Sequence, residues 1–194
     1  MSTSLAPSLL LSMPQLLDPN FSRTVILLCK HNDDGAFGLV VNRPLVATGR
    51  VVLSLDPVVP DHTIGTPHEM VRDDLEVWVG GPVEPERSWI LVHGAGEGEY
   101  GGGMAVADGV TLSTSPALLQ RLLAPSPPHD ARLVVGYSGW GPGQLEAELR
   151  ASAWLIGEVD CDLIFKTPAD RMWETAIRRL GADPAALQMS RGVH

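Results

Sequence analysis

The chain has 194 residues, 44% hydrophobic and 19% charged, and 14 basic against 23 acidic side chains give it a formal net charge of −9. Those proportions describe a folded domain that buries its own core without a metal or disulfide. They argue against wholesale nucleic-acid binding, since such a chain repels a phosphate backbone unless its few cations cluster, and the dense basic spot at Arg171, Arg178 and Arg179 is diluted by Asp170 and Glu174.

No Lys or Arg precedes Arg23, so the charged start of a signal peptide is missing. No uncharged apolar run approaches the roughly 18 residues of a membrane span. Cys29 and Cys161 suit a reducing compartment better than a disulfide framework. The expectation is a single cytoplasmic domain over residues 1–194, without membrane association.

Two β-branched apolar runs come first, "TVILLCK" (Thr24–Lys30) and "FGLVVNR" (Phe37–Arg43). The intervening "HNDDGA" carries turn residues, so the pair reads as a β-hairpin with a six-residue loop that Pro44 ends. Residues 45–74 show no sustained period; one short helix or strand is expected near Arg50–Leu55, then an irregular excursion. "LEVWVG" (Leu75–Gly80) and "SWILVH" (Ser88–His93) read as a second hairpin. Gly94–Gly103 is expected to be a mobile surface loop. "STSPALLQRLLA" predicts a helix with Ser115 as N-cap, Pro116 at its first position and a leucine stripe inward.

A strand over Arg132–Tyr137 follows, then a helix from about Gln144 with Leu145, Leu149 and Ile156 inward and a Glu146–Arg150 pair outward. "VDCDLIFK" reads as the last strand. Thr167 then caps a helix beginning at Pro168, with Trp173, Ile177 and Leu180 inward and Gly181 at its C′ position. A last short turn starts at Asp183-Pro184. Hairpins followed by alternating helices and strands predict an α+β fold with antiparallel strands and helices packed outside.

"GYSGWGPGQLEAEL" (Gly136–Leu149) invites comparison with a nucleophile elbow. The fifth position of that pattern is Trp140 instead of glycine, and Gly141-Pro142-Gly143 separate Ser138 from the helix that an elbow starts at once. The histidine that follows is His194, at the chain end. Ser138 therefore reads as a turn serine, with no catalytic assignment.

Together with "MPQLLDPNFSRTVILLCKHNDDGAFGLVVNRPL" (Met13–Leu45) and "GGPV" (Gly80–Val83), that segment resembles the YqgE/AlgH family of bacterial proteins. The resemblance implies a bifurcated antiparallel sheet with a small barrel-like part, surrounded by helices. It also implies a transcriptional-regulator label, with no agreed catalytic residues and no cofactor.

The remaining polar clusters carry alternatives. His31, Asn32, Asp33 and Asp34 form the richest one; His31 could ligate a metal or act as a base, but turn chemistry accounts for the same residues and no ligand spacing repeats. Arg43, after Asn42, could clamp an anion or bond internally. Gly80, Gly81 and Pro82 match no phosphate-loop pattern. Trp140, in a glycine-rich turn, is expected to be a partly exposed anchor, whereas the other tryptophans belong to the core. Cys29, beside Lys30 and His31, is a candidate reactive thiol.

The first reading is a non-catalytic binding or regulatory module for a protein or small-molecule ligand. Its surface would draw on His31, Asn32, Asp33, Asp34, Asn42, Arg43, Gly80, Gly81, Pro82, Ser138, Trp140, Gln144 and Glu146 converging in one patch, with no metal or cofactor. The second is a small-molecule enzyme with His31, Asp33 and Glu146 or Glu148 as acid–base groups. Direct DNA binding ranks last.

Overall fold

A computed structural model of the chain describes residues 4–16, 18–55, 67–94, 103–124 and 126–189. In chain order the elements are β1 (Ser8–Ser12), β2 (Val25–Asn32), β3 (Gly35–Val40), β4 (Pro44–Leu55), β5 (Pro67–Val79), β6 (Val83–His93), β7 (Met104–Ala107), β8 (Val110–Ser113), α1 (Pro116–Leu122), β9 (Ala131–Trp140), α2 (Gln144–Arg150), β10 (Trp154–Gly157), α3 (Cys161–Lys166), α4 (Ala169–Arg179) and α5 (Pro184–Met189). Contacts group residues 1–43 and 138–194 into one compact unit and residues 44–137 into another. The class is α+β with antiparallel pairing dominant, as expected.

In the first unit the strand order is β10-β1-β2-β3 followed by the end of β9, every pair antiparallel. Leu10, Ile26, Leu28 and Val40 pack on one face against Trp140, Leu145 and Trp154. Trp173 of α4 donates its indole N–H to the Ser12 carbonyl at 2.9 Å and is buried with Met172 and Ile177. Strand β1 is buried along its whole length, which explains an unalternating "SLLLS" that periodicity alone does not flag as a strand.

The β2–β3 hairpin exists, but its loop is shorter than expected. Pairing continues to Asn32↔Gly35, leaving Asp33 and Asp34 as a two-residue connection. The expected turn chemistry is present, since Asn32 Oδ1 accepts the Asp34 N–H at 3.0 Å.

In the second unit β4 pairs with β5, β5 with β9, β9 with β6, and β6 with β4, so that strand neighbours return to their start. That closed ring is the barrel-like part. Its core, Val77, Ile90, Val92 and Leu133, is covered by Leu118 and Leu119 of α1. Ser115 caps α1 through its side chain and Pro116 opens it, as the sequence predicts. Gly136, at φ +68°, lets β9 approach the Gly80–Pro82 turn: a Cβ there would sit 2.5 Å from the Gly81 carbonyl oxygen.

Several expectations are corrected. β5 and β6 are not a hairpin, because the start of β9 pairs with both of them, parallel to β5 and antiparallel to β6. Pro44 starts a strand instead of ending one, and the short element expected at Arg50–Leu55 is a strand, but as the second half of the longer β4. The helix from Gln144 stops at Arg150; Ser152, at φ +57°, turns the chain, and Trp154–Gly157 forms a strand on which Ile156 is 43% exposed instead of inward. "CDLIFK" is helix α3, not a strand, nucleated by Asp160 Oδ1 accepting the Leu163 N–H at 2.9 Å. α4 starts one residue later than expected, at Ala169, with no side-chain cap from Thr167; Gly181 takes its C′ place at φ +80° and Leu180 is exposed. Strands β1, β7 and β8 carry no periodic signal that announces them. The irregular excursion expected from Leu55 to residue 74 is corrected over 67–74, which form the first part of strand β5; residues 56–66 and most of the glycine loop, 95–102, lie outside the described residues.

Candidate functional site

Of the polar residues singled out at the β2–β3 hairpin and at α2, His31 and Glu146 meet, within the first unit. Strand β9 runs straight through "GYSGW", pairing Ala36↔Trp140 and Gly38↔Ser138, so Ser138 is a fully buried strand residue and not a turn serine. Gly143, at φ +72°, then redirects the chain into α2. Gln144 folds back to accept the Gly141 N–H on its Oε1 at 3.0 Å.

His31 is buried, and both ring nitrogens are engaged. Nδ1 accepts the Leu5 N–H at 3.1 Å, which places the ring proton on Nε2, where it is donated to Glu146 Oε1 at 2.9 Å. Ser4 Oγ donates to the His31 carbonyl at 3.1 Å, so the N-terminal segment is tied to the same residue. The Glu146 carboxyl is held below its usual range, first by its own backbone N–H and then by the hydrogen bond from His31. The carboxylate expected to reach outward toward Arg150 is thus directed to His31.

Two residues further along α2, Glu148 draws the aromatic residues together. Its Oε2 accepts the indole N–H of Trp140 at 2.9 Å and that of Trp154 at 2.7 Å, and its Oε1 accepts from Gln144 Nε2 at 2.9 Å. The two indoles meet edge to face, with centroids 6.0 Å apart. Trp140 is therefore buried, not a partly exposed anchor: the glycines beside it shape the backbone while its ring is pulled inward by the carboxylate.

Asn42 and Arg43 lie at the other end of β3 from the hairpin tip, about 20 Å away at the rise of an extended strand, and do not join the cluster. Asn42 Oδ1 accepts the Val25 N–H and its amide donates to the Arg23 carbonyl, both at 2.9 Å. Arg43 donates to the Pro19 and Ser22 carbonyls at 3.3 and 3.1 Å. Both brace the loop before β2. Gly80, Gly81 and Pro82 belong to the second unit, at the close approach of Gly136 described above.

Around the hairpin tip, exposed Lys30, Asn32 and Asp34 border a depression of about 230 Å³ whose wall is Phe37 and Trp140. Cys29 lies on the same strand, but its environment runs against the reactive-thiol expectation. The residue is half-buried, its Sγ donates to the Leu27 carbonyl at 3.4 Å, and burial pushes the thiol up to about 12. Alkylation of Cys29 in the folded protein at neutral pH is expected to be on the order of a thousandfold slower than in denaturant. Mass spectrometry after timed labelling reads this directly, and comparable native and denatured rates would contradict it.

Glu148's three-donor role and the apposition of Trp140 with Trp154 are features that sequence reading misses. The available signal was the Gln144–Glu148 spacing of four on one helix face.

Residues 9–185 match a family described as AlgH-like. Similar relatives include a UPF0301 protein of Anaeromyxobacter dehalogenans, 40% identical over 189 residues, which cover 97% of this chain and 94% of that one. Another, from Photobacterium profundum, is 35% identical over 184 residues, covering 94% and 95%. The solution structure of the AlgH protein from Pseudomonas aeruginosa superposes with a TM-score of 0.67 at 32% identity, over 100% of this chain and 97% of that chain. A crystal structure of a Corynebacterium diphtheriae protein shares the fold at a TM-score of 0.61 and 18% identity, over 97% of this chain and 92% of that one. Matched from β1 to α5 and alike in sequence over nearly its full length, the chain belongs to the AlgH-like family.

Proposed function

We propose that this protein is a cytoplasmic, non-catalytic binding module of regulatory role that recognises a protein partner at the tip of the β2–β3 hairpin, around Lys30, Asn32 and Asp34. The observation that carries this reading is the commitment of His31. A general base needs a lone pair facing a substrate proton. Here the Nδ1 lone pair is taken by the Leu5 N–H and Nε2 is directed at Glu146.

Of the groups of the acid–base alternative, His31 and Glu146 are in contact, but in a bond that ties α2 to the sheet, and Glu148 is engaged by Trp140, Trp154 and Gln144 instead. The depression at the tip, about 230 Å³, falls below the roughly 300–1,000 Å³ of small-molecule pockets. It matches a side chain or loop of a partner. Regulation through direct DNA contact is disfavoured further by the basic spot itself, where Arg178 pairs with Glu174 at 3.3 Å and Arg179 with Asp160.

The test is a photo-crosslinking residue placed at Asp34 in living bacteria. The expected result is one covalent adduct of defined mass, lost when Lys30→Glu is added, with no such adduct from the same residue placed at exposed Lys166. The reading is overturned by the absence of any adduct. It is equally overturned by a metabolite turnover that His31→Gln abolishes while the fold is retained.

A further inference from the structure

A second surface of the first unit, separate from the hairpin tip, has the features of a strand-accepting edge. Strand β10 ends its sheet, with β1 as its neighbour on one side. Met13 N–H donates to the Ala153 carbonyl at 2.8 Å, which sets the phase of that ladder. In an antiparallel pair the bonded positions alternate, so Leu155 and Gly157 exchange bonds with β1 while Ile156 directs its N–H and C=O to the opposite side. No described residue bonds to those two groups.

A cleft of about 500 Å³ adjoins this edge, between it and the helices α3 and α4. Leu9, Leu11, Leu163 and Leu180 line it. Gly157 leaves it open, since a Cβ there would meet only Leu180 Cδ2 at 3.7 Å and Leu9 Cβ at 3.9 Å. The large hydrophobic side chains exposed among the described residues are Leu45, Ile156 and Leu180, and two of these three border this cleft. At its polar end Arg179 is neutralised by Asp160, so among the described residues that line the cleft the carboxylate of Glu158 is the charge left without an ion pair.

We propose that β10 binds an extended, basic–apolar segment of a partner protein as an added strand. The segment's backbone pairs with Ile156, one of its aliphatic side chains enters the cleft, and a Lys or Arg meets Glu158. An open edge with adjoining side-chain pockets is how strand addition combines affinity with selectivity. Charge selects the occupant: two copies of a chain of net charge −9 repel one another, whereas a basic segment is attracted.

The probe is a blocked Lys-Val-Lys-Val-Lys peptide added to isotope-labelled full-length protein, with the Ile156 amide followed by NMR and hydrogen exchange. A saturable shift and slowed exchange at Ile156 are expected. Affinity should fall roughly tenfold or more when the peptide's backbone nitrogens are methylated, and likewise in Gly157→Leu, which fills the cleft, and in Glu158→Lys. Amides near Lys30 report that each variant is folded, and Lys30→Glu should leave this binding unchanged. That control separates the proposal from the hairpin-tip reading.

Four results overturn it. The first is no response at Ile156, and the second is equal binding of a Glu-Val-Glu-Val-Glu peptide. The third is indifference to backbone methylation, which would indicate a pocket for side chains or small molecules. The fourth is a dimer in sedimentation that protects Ile156 without peptide, which would make a second copy the occupant.

Discussion

Gly35→Ala is expected to destabilise the protein by about 3–5 kcal/mol, measured as a lower denaturation midpoint with an unchanged slope. Two costs combine at this residue. Its φ of +135° is a conformation that L side chains rarely adopt. A Cβ would also lie 2.3 Å from the Trp140 carbonyl oxygen, a backbone atom held in place by the Ala36↔Trp140 pairing, so relief requires β3 and β9 to separate. Gly143→Ala supplies the comparison. At φ +72° with nothing within 4 Å of its Cβ position, it meets torsional strain alone and should cost about 1–2 kcal/mol. Equal losses for the two variants would show that close approach at the hairpin tip contributes nothing.

The parts of the fold that were legible in the sequence are those whose signal is local. The β2–β3 hairpin has two β-branched runs around Asn-Asp-Asp-Gly. Helix α1 has Ser115 and Pro116 at its start, and α4 has Gly181 at its end; each of these residues is used as its chemistry suggests. Where a short apolar run can be either helix or strand, distant partners decide. "WLIG" becomes β10 because Leu9–Ser12 offers it an edge, and "CDLIFK" becomes α3 because Asp160 caps it. The Asp160 cap was readable in the sequence; the edge was not. Strands β5 and β6 look like a hairpin by proximity, but β9 supplies a neighbour to each from roughly 40 to 55 residues downstream, a non-local choice that no turn signal encodes.

The same contrast holds at the site. His31 and Glu146 can each be picked out from their own surroundings, yet 115 residues separate them and only the fold makes them a pair. Trp140 was misplaced for an instructive reason. Flanking glycines indicate a flexible-looking turn, but they say nothing about an acceptor eight residues later that draws the ring inward.

That acceptor is the subject of the second large effect. Glu148→Ala is expected to cost about 3–4 kcal/mol, because it leaves two buried indole N–H groups without an acceptor, each at about 1–3 kcal/mol, while the exposed Gln144 amide can turn to water. Trp140 and Trp154 are 6% and 4% exposed, so water cannot readily replace the lost oxygen. Glu148→Gln keeps one carbonyl oxygen for both indoles and loses the charge assistance together with a good partner for the Gln144 amide. It should cost about 1 kcal/mol. Denaturation followed by tryptophan fluorescence reads both variants, with emission from Trp140 and Trp154 shifting in the alanine protein. The pair of variants also separates the two functional readings. A Glu148 that moved protons would lose a turnover in the glutamine variant while the fold stood. A Glu148 that binds α2, β9 and β10 into one body weakens only as its hydrogen bonds do, and because Trp140 walls the depression beside Lys30, partner capture at the hairpin tip should decline in step with stability across the two variants.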